Sequence, residues 1–408
     1  MQQDYETEVA VLISYSSSRH SIILHRITEQ GDMVLLKELP AEAPPLFYKL
    51  NSHSLIFVVG EAVQRYSLLP EDEETSQKQF YFYRSTQHEI TGWKVVGDVV
   101  AKVWSFETGE REKILKVASA FRGDQRSHIP LYDREKVFFK NVDFTNLAVV
   151  TSLNHTNMGV YAINGRTGKV QFNSYKNNVN MGLPFSIAYD ENNILVAYFN
   201  ARNKMYEIWT IEQYQERIES SPVAIITDYL QEQHYKPLEN REQTIFEEQV
   251  FGLSLTVKEM FVSESKMSLT RRNLLIITRE NKIYNINRDM VSSRRPIKDG
   301  KGFFANEKLP EYAYMLPYMP VEYLSYHLPL ANINRIAFSP TDMESSIFAL
   351  CTGTDLFLVR MAPDKTFDII SDDFNHVLLL VILVAGTVVI TVFKRTLTRA
   401  KLRKPHLE

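Results

Sequence analysis

The side chains best suited to chemistry are spread along this chain rather than gathered. Its 10 histidines are scattered, with no two at the spacing that sets a pair of ligands against one metal ion. Cys351 is the only cysteine. No intrachain disulfide can form, and no zinc or iron–sulfur site can be built from cysteines. The acidic pairs Glu71/Asp72 and Asp372/Asp373 are sequence neighbours, so their side chains diverge and read as solvated surface. There is no H-E-x-x-H, G-x-S-x-G, Walker loop or G-x-G-x-x-G, the short patterns that carry metal, nucleophile or phosphate chemistry. The residues point away from catalysis, and neither a metal nor a cofactor is expected. Cys351 reads as a small apolar filler of a core.

One short pattern concerns modification. Asn154-His155-Thr156 is a glycosylation sequon, which gives weak support for a lumenal location because such triplets also arise by chance.

The elements that carry these residues read as strands. Aromatics make up 12% of the 408 residues, with 21 Tyr and 23 Phe, side chains that suit pleated, half-buried surfaces. Strands are predicted at Val9–Tyr15, Ser21–Ile27, Met33–Leu39, Ser54–Val59 and Val95–Trp104. More follow at Leu147–Ser152, Gly159–Ile163, Gly168–Asn173, Ile194–Phe199, Leu274–Thr278 and Lys282–Ile286. The series closes with Ile333–Phe338, Ile347–Thr352 and Leu356–Met361. No strong helix interrupts them; Glu212 to Ser220 reads as a short helix at most. Pro70 to Lys78, Gln231 to Glu248 and Arg294 to Pro310 are polar and read as irregular.

The most informative turn is Ile163-Asn164-Gly165-Arg166-Thr167-Gly168-Lys169. An apolar strand ends in Asn-Gly and Thr-Gly starts the next, with glycines expected to supply positive φ. Thr108-Gly109 is a weaker echo. The expected fold class is all-β, with a β-propeller-like domain favoured over a sandwich; whether this chain alone closes the ring is left open. Similar turns occur in quinone-dependent dehydrogenases, but a shared turn says nothing about a cofactor.

Val377 to Phe393 runs without a charge. As a helix it would span roughly 25 Å, a little short of the hydrocarbon core of an ER bilayer. It is apolar all round, with Thr387 and Thr391 able to bond back to the helix, and is read as a transmembrane helix over 374–393. Lys394, Arg395, Arg399, Lys401, Arg403 and Lys404 follow it, and Asp368, Asp372 and Asp373 precede it. Basic flanks stay in the cytosol, so the tail 394–408 is expected there, touching anionic lipid, and the large domain on the lumenal side. Asp372, Asp373 and Phe374 either fix the helix angle or mark the topology. Ala385 and Gly386 either admit a neighbouring helix closely or are ordinary membrane residues. Overall charge is -3, from 46 basic and 49 acidic residues, which gives no field to attract nucleic acid. Residues 1–30 show no signal peptide, and a lumenal domain needs one, so a natural chain longer than this at its N-terminus is expected.

Several stretches in order resemble one family. They are Val137-Phe138-Phe139-Lys140-Asn141, Asn146-Leu147-Ala148-Val149-Val150-Thr151, the Asn164–Lys169 turn, Thr270-Arg271-Arg272-Asn273-Leu274-Leu275-Ile276 and Arg294-Arg295-Pro296. Ser339-Pro340-Thr341-Asp342-Met343-Glu344-Ser345-Ser346, Thr354-Asp355-Leu356-Phe357 and Pro363-Asp364-Lys365-Thr366-Phe367-Asp368 lead to the helix and its basic end. Together they resemble the C-terminal half of the large first subunit of the ER membrane protein complex, strongly from about residue 130 and faintly before it. The chain departs from that family in lacking a signal and most of the N-terminal propeller region. It also carries Ser292-Ser293 before Arg294, where members tend to have an acid.

The resemblance implies a type I membrane protein with lumenal propellers, serving as a non-enzymatic scaffold in a complex that inserts client transmembrane helices. Implied partners are the other subunits, client membrane proteins and the bilayer. Residues 1–130 are expected to be a β-rich region of propeller blades, and 131–370 the family's C-terminal lumenal domain. The rival reading is a free-standing single-pass receptor or adhesion protein with a ligand-binding propeller. Disulfides and several sequons would favour the rival, against one cysteine and one sequon here.

Overall fold

Runs such as Leu147-Ala148-Val149-Val150 and Leu274-Leu275-Ile276-Ile277 are apolar at every position, not every second one. A strand with that pattern needs cover on both faces. The computed structural model supplies it by stacking antiparallel sheets side by side. It describes residues 10–16, 21–27, 33–40, 47–50, 54–59, 62–67, 80–96, 99–119, 131–133, 136–140, 146–190, 192–217, 243–264, 270, 272–297, 309–326, 328, 330–341, 343–363 and 376–403.

Three sheets come first. They are β1 (Ala10–Ser16), β2 (Ser21–Ile27) and β3 (Met33–Pro40); β4 (Phe47–Leu50), β5 (Ser54–Val59) and β6 (Ala62–Ser67); and β7 (Phe80–Ser85), β8 (Glu89–Val96) and β9 (Val99–Glu107). The fourth begins with β10 (Lys113–Ser119). A hairpin of β11 (Leu131–Asp133) and β12 (Lys136–Lys140) then leaves to join the fifth sheet. The fourth resumes with β13 (Leu147–Asn154), β14 (Asn157–Ile163) and β15 (Val170–Lys176). Pairing of β10 with β13 joins residues on either side of position 130 in one sheet.

The fifth sheet holds β16 (Ser186–Asp190), β17 (Asn193–Asn200), β18 (Met205–Arg217) and β19 (Gln243–Leu253). The sixth holds β20 (Val257–Val262), β21 (Asn273–Thr278) and β22 (Ile283–Asn287). The seventh holds β23 (Arg335–Pro340), β24 (Ile347–Thr352) and β25 (Leu356–Met361). Helix α1 runs from His376 to Arg403.

Side-chain parity explains the stacking, because successive residues of a strand point to opposite faces. Leu147 and Val149 meet Ile90 and Trp104 of the third sheet. Their neighbours Ala148 and Val150 meet Ile194, Val196 and Trp209 of the fifth. Leu195 and Ala197 turn from that seam to Leu274 and Ile276 of the sixth. Leu275 and Ile277 then meet Ile347, Ala349 and Cys351 of the seventh. Each large side chain buried in such a seam contributes about 1.5–3 kcal/mol. On the seventh sheet the alternation continues, with no second cover among the described residues. Phe348, Leu350, Leu356 and Leu358 are exposed, and Phe348, Leu350 and Leu358 border an apolar cavity of about 330 Å³.

Several expectations are corrected. Val95–Trp104 is not one strand; β8 ends at Val96 and pairs with β9, with Val96 opposite Val99. Glu212 to Arg217 is not helical but the end of β18, and 218–220 lie outside the described residues. Their polar spacing misled because Glu212 is buried against cations of the segment after β22. Gln243 to Glu248, read as irregular, opens β19. Pro70 to Lys78 and 231–242 lie outside the described residues.

Candidate docking surfaces and interior carboxylates

Of the glutamates buried among the described residues, Glu112, Glu207 and Glu212 are each held by several donors. Glu112, next to β10, accepts bonds from the hydroxyls of Thr151 and Tyr161, and Tyr161 also meets the hydroxyl of Tyr175. Burial and these neighbours push the Tyr161 phenol up. Glu207 on β18 accepts from Tyr198 at 2.7 Å, Tyr314 at 2.6 Å, Asn203 at 2.7 Å and Asn200 at 3.0 Å. Burial opposes its charge, yet those hydrogen bonds hold its carboxyl below the usual range.

Glu212 carries the densest set. Ser292 Oγ donates to its Oε1 at 2.9 Å and the Ser293 amide at 3.1 Å. Arg294 Nε donates to Oε2 at 2.8 Å, Tyr214 donates there at 2.5 Å, and Arg288 lies 3.4 Å from Oε1. Burial would raise its pKa, but Arg294, Arg288 and the Tyr214 bond win and hold it at about 2. An acid at Ser292 or Ser293 would set a second carboxylate beside Glu212.

These carboxylates act as latches. Glu212 ties the fifth sheet to the segment after β22. Asp190 likewise pairs with Arg272, from the fifth sheet to the segment leading into β21. Glu259 takes Lys116 at 2.5 Å and Ser186 at 2.8 Å, joining β10, β16 and β20 of the fourth, fifth and sixth sheets. A cavity of about 400 Å³ lined by Tyr83, Gln87, Ile114 and Lys116 includes none of Glu112, Glu207 or Glu212. Among the described residues no group of three or more His, Cys, Asp or Glu could hold a metal.

The Asn164–Lys169 turn is a contact between sheets. Asn164 Oδ1 accepts the amides of Arg166 and Thr167. Gly168 takes φ 72°, and a Cβ there would lie 2.7 Å from the Trp104 ring. Of the two glycines, only Gly168 takes positive φ. Gly165 instead gives its carbonyl to the Trp104 indole N–H at 2.7 Å. The Thr108-Gly109 echo sits between β9 and β10, in a crossover between sheets, so the two motifs are not equivalent positions of a repeat.

A long surface strap runs from Tyr312 to Tyr326 and takes in Leu328 and Leu330. Gly252 N–H bonds to the Tyr314 carbonyl at 2.6 Å and Leu316 N–H to the Gly252 carbonyl at 2.9 Å. A side chain at Gly252 would meet Met315 Sδ at 2.8 Å. Tyr323 bridges Tyr284, and the rings of Tyr284, Tyr318 and Tyr323 cluster. Leu324 N–H bonds to Ile283 and Tyr326 N–H to Tyr323. The strap is thus fixed, yet Met315, Tyr318, Met319, Val321, Tyr326 and Leu328 are exposed. Sequence reasoning missed this surface; the only signal was a stretch rich in Tyr, Met and Pro and poor in charge.

The residues singled out from sequence are not brought together. Asn154 is exposed at the β13–β14 turn, its Oδ1 accepting from Thr156 N, Thr156 Oγ1 and Asn157 N. Asp372, Asp373, Phe374 and Lys404 lie outside the described residues. Lys394, Arg395, Arg399, Lys401 and Arg403 lie within α1. Ala385 is exposed, and nothing lies within 4 Å of where a Gly386 Cβ would stand. Thr387 and Thr391 bond back to the carbonyls of Leu383 and Thr387, each at 2.7 Å. Taken over the described residues alone, no helix is long and apolar enough to cross a membrane.

Stacked antiparallel sheets make this an all-β, propeller-like domain. Residues 2–364 match the family described as ER membrane protein complex subunit 1, second beta-propeller, and the chain belongs to that family. It is 23% identical over 338 residues to ER membrane protein complex subunit 1 of Gallus gallus, covering 79% of this chain and 32% of that protein. The Schizosaccharomyces pombe protein of the same name is 21% identical over 369 residues, covering 85% and 39%. This chain therefore spans 32–43% of the length of the curated relatives it matches. Among solved structures, the WD40 domain of SCAP from fission yeast aligns at 9% identity and TM-score 0.20, covering 69% of this chain and 87% of that one.

Proposed function

We propose that this chain is a non-enzymatic scaffold of the ER membrane protein complex, which inserts client transmembrane helices. Its sheets would form a lumenal docking body and α1 its membrane anchor. The observation that carries this reading is the family match over residues 2–364, followed by the uncharged run Val377 to Phe393 within α1. Thr387 and Thr391 satisfy their hydroxyls inside the helix, as a lipid environment demands. The basic residues after the run favour a cytosolic C-terminus.

A single helix cannot enclose a polar path through lipid, so the role is docking and orientation. Asp372, Asp373 and Phe374 would stand at the lumenal interface, and Ala385 and Gly386 would admit a neighbouring helix. Lys394, Arg395, Arg399, Lys401, Arg403 and Lys404 would hold the topology. Purification of the full chain in mild detergent, with mass spectrometry, tests the assignment. A stable set of other subunits of the complex is expected, and a lone monomer overturns it. Protease protection tests the topology: the sheets should be shielded in sealed microsomes and the C-terminus cut.

A further inference from the structure

We propose that the strap from Met315 to Tyr326, with Leu328, is a docking face for an uncharged, apolar surface of another subunit of the complex. This rests on the scaffold reading above and names the surface that would serve it. Four observations carry it. First, Tyr312 to Leu330 contains no lysine or arginine, and Glu322 is its only acid. Interface cores show the same depletion of charge with enrichment of Tyr and Met.

Second, the exposed side chains are large. Val321 is 80% exposed and Tyr326 72%, with Met315, Tyr318, Met319 and Leu328 between 42% and 53%. Summed side chain by side chain they offer roughly 600 Å² of mostly apolar surface, near one side of a standard interface. Third, the backbone is fixed by its bonds to Gly252, Ile283 and Tyr284. Such pre-organisation lowers the ordering cost of association. Fourth, Tyr326 takes φ 49°, a left-handed conformation that a bulky residue adopts at a cost. That conformation sets a ring 72% exposed on the turn closed by Leu328 N–H to the Ser325 carbonyl.

The chemistry selects the occupant. Anionic lipid is recognised through Lys and Arg, and the strap has none. Glu322 is already engaged by Asn285 at 3.1 Å, and Lys282, beside Tyr323, pairs with Glu280 at 3.2 Å. What remains matches an apolar protein face.

The test uses Val321→Glu and Leu328→Glu, separately, in the full chain purified in mild detergent. Both residues are exposed, so protease resistance should equal that of the unmodified chain; if one variant misfolds, the other is read. Recovery of at least one subunit of the complex should fall about tenfold or more. A photo-cross-linker at position 321 should capture that same subunit. Full recovery of every subunit with both variants overturns the docking face and leaves the scaffold reading standing. Loss confined to a cross-linked second copy of this chain, or to flotation with anionic vesicles, also overturns it. If the unmodified chain recovers no subunit at all, both readings fall.

Discussion

Glu212 Oε2 accepts the Nε–H of Arg294 at 2.8 Å across 82 residues of chain, a buried ion pair joining β18 to the segment after β22. Removing one partner of such a pair leaves an uncompensated charge and costs about 3–5 kcal/mol. Glu212→Gln should lower stability by that amount, read from urea unfolding followed by fluorescence of Trp209, three residues before Glu212 on β18. The pH dependence has a fixed sign. The carboxyl is held at about 2 in the folded chain, below its unfolded value of about 4.3. Its contribution is whole above the unfolded value and drains away as pH falls toward 2. The urea midpoint should therefore drop between pH 5 and pH 3, and drop less in Glu212→Gln.

Gly168 stands where both backbone and space demand glycine. A methyl group there would strain φ 72° and press on Trp104. Gly168→Ala should destabilise by about 1–3 kcal/mol, with a change in tryptophan emission. Gly109→Ala, with nothing within 4 Å, should stay within about 0.5 kcal/mol. Equal thermal midpoints for the two variants would contradict the account of this turn.

Cys351 is wholly buried in the seam of the sixth and seventh sheets, and burial pushes its thiol up to about 12. The thiolate is the reactive form. A maleimide at pH 8 should leave the native chain unlabelled over hours and label it fully in denaturant. Cys351→Ser should cost about 1–3 kcal/mol by burying a hydroxyl, and Cys351→Ala less.

Asn154 is exposed on a tight turn, with the Thr156 hydroxyl 3.1 Å from its side-chain oxygen. If the sheets face the ER lumen, the chain from its own cells should lose one glycan on endoglycosidase treatment. Asn154→Gln should already lack that mass. A chain of unchanged mobility in both forms would count against modification at this site.

The sequence alone determined the local elements whose signal is local. Strands such as Ile347–Thr352 and Leu356–Met361 appear at their expected bounds because β-branched and aromatic runs end at turn residues. The family was legible as well, since ordered short motifs survive where overall identity is low. Cys351 as core filler followed from its chemistry.

Tertiary structure decided what depends on partners far along the chain. Glu212 to Arg217 carries a polar pattern that means nothing until arginines and serines some 80 residues away neutralise Glu212 within the fold. The strap's residues have the composition of a core, and only packing decided that Met319, Val321 and Tyr326 face outward. Sequence fixes which face of a strand is apolar through its period of two; which sheet covers that face is set by contacts the period cannot encode.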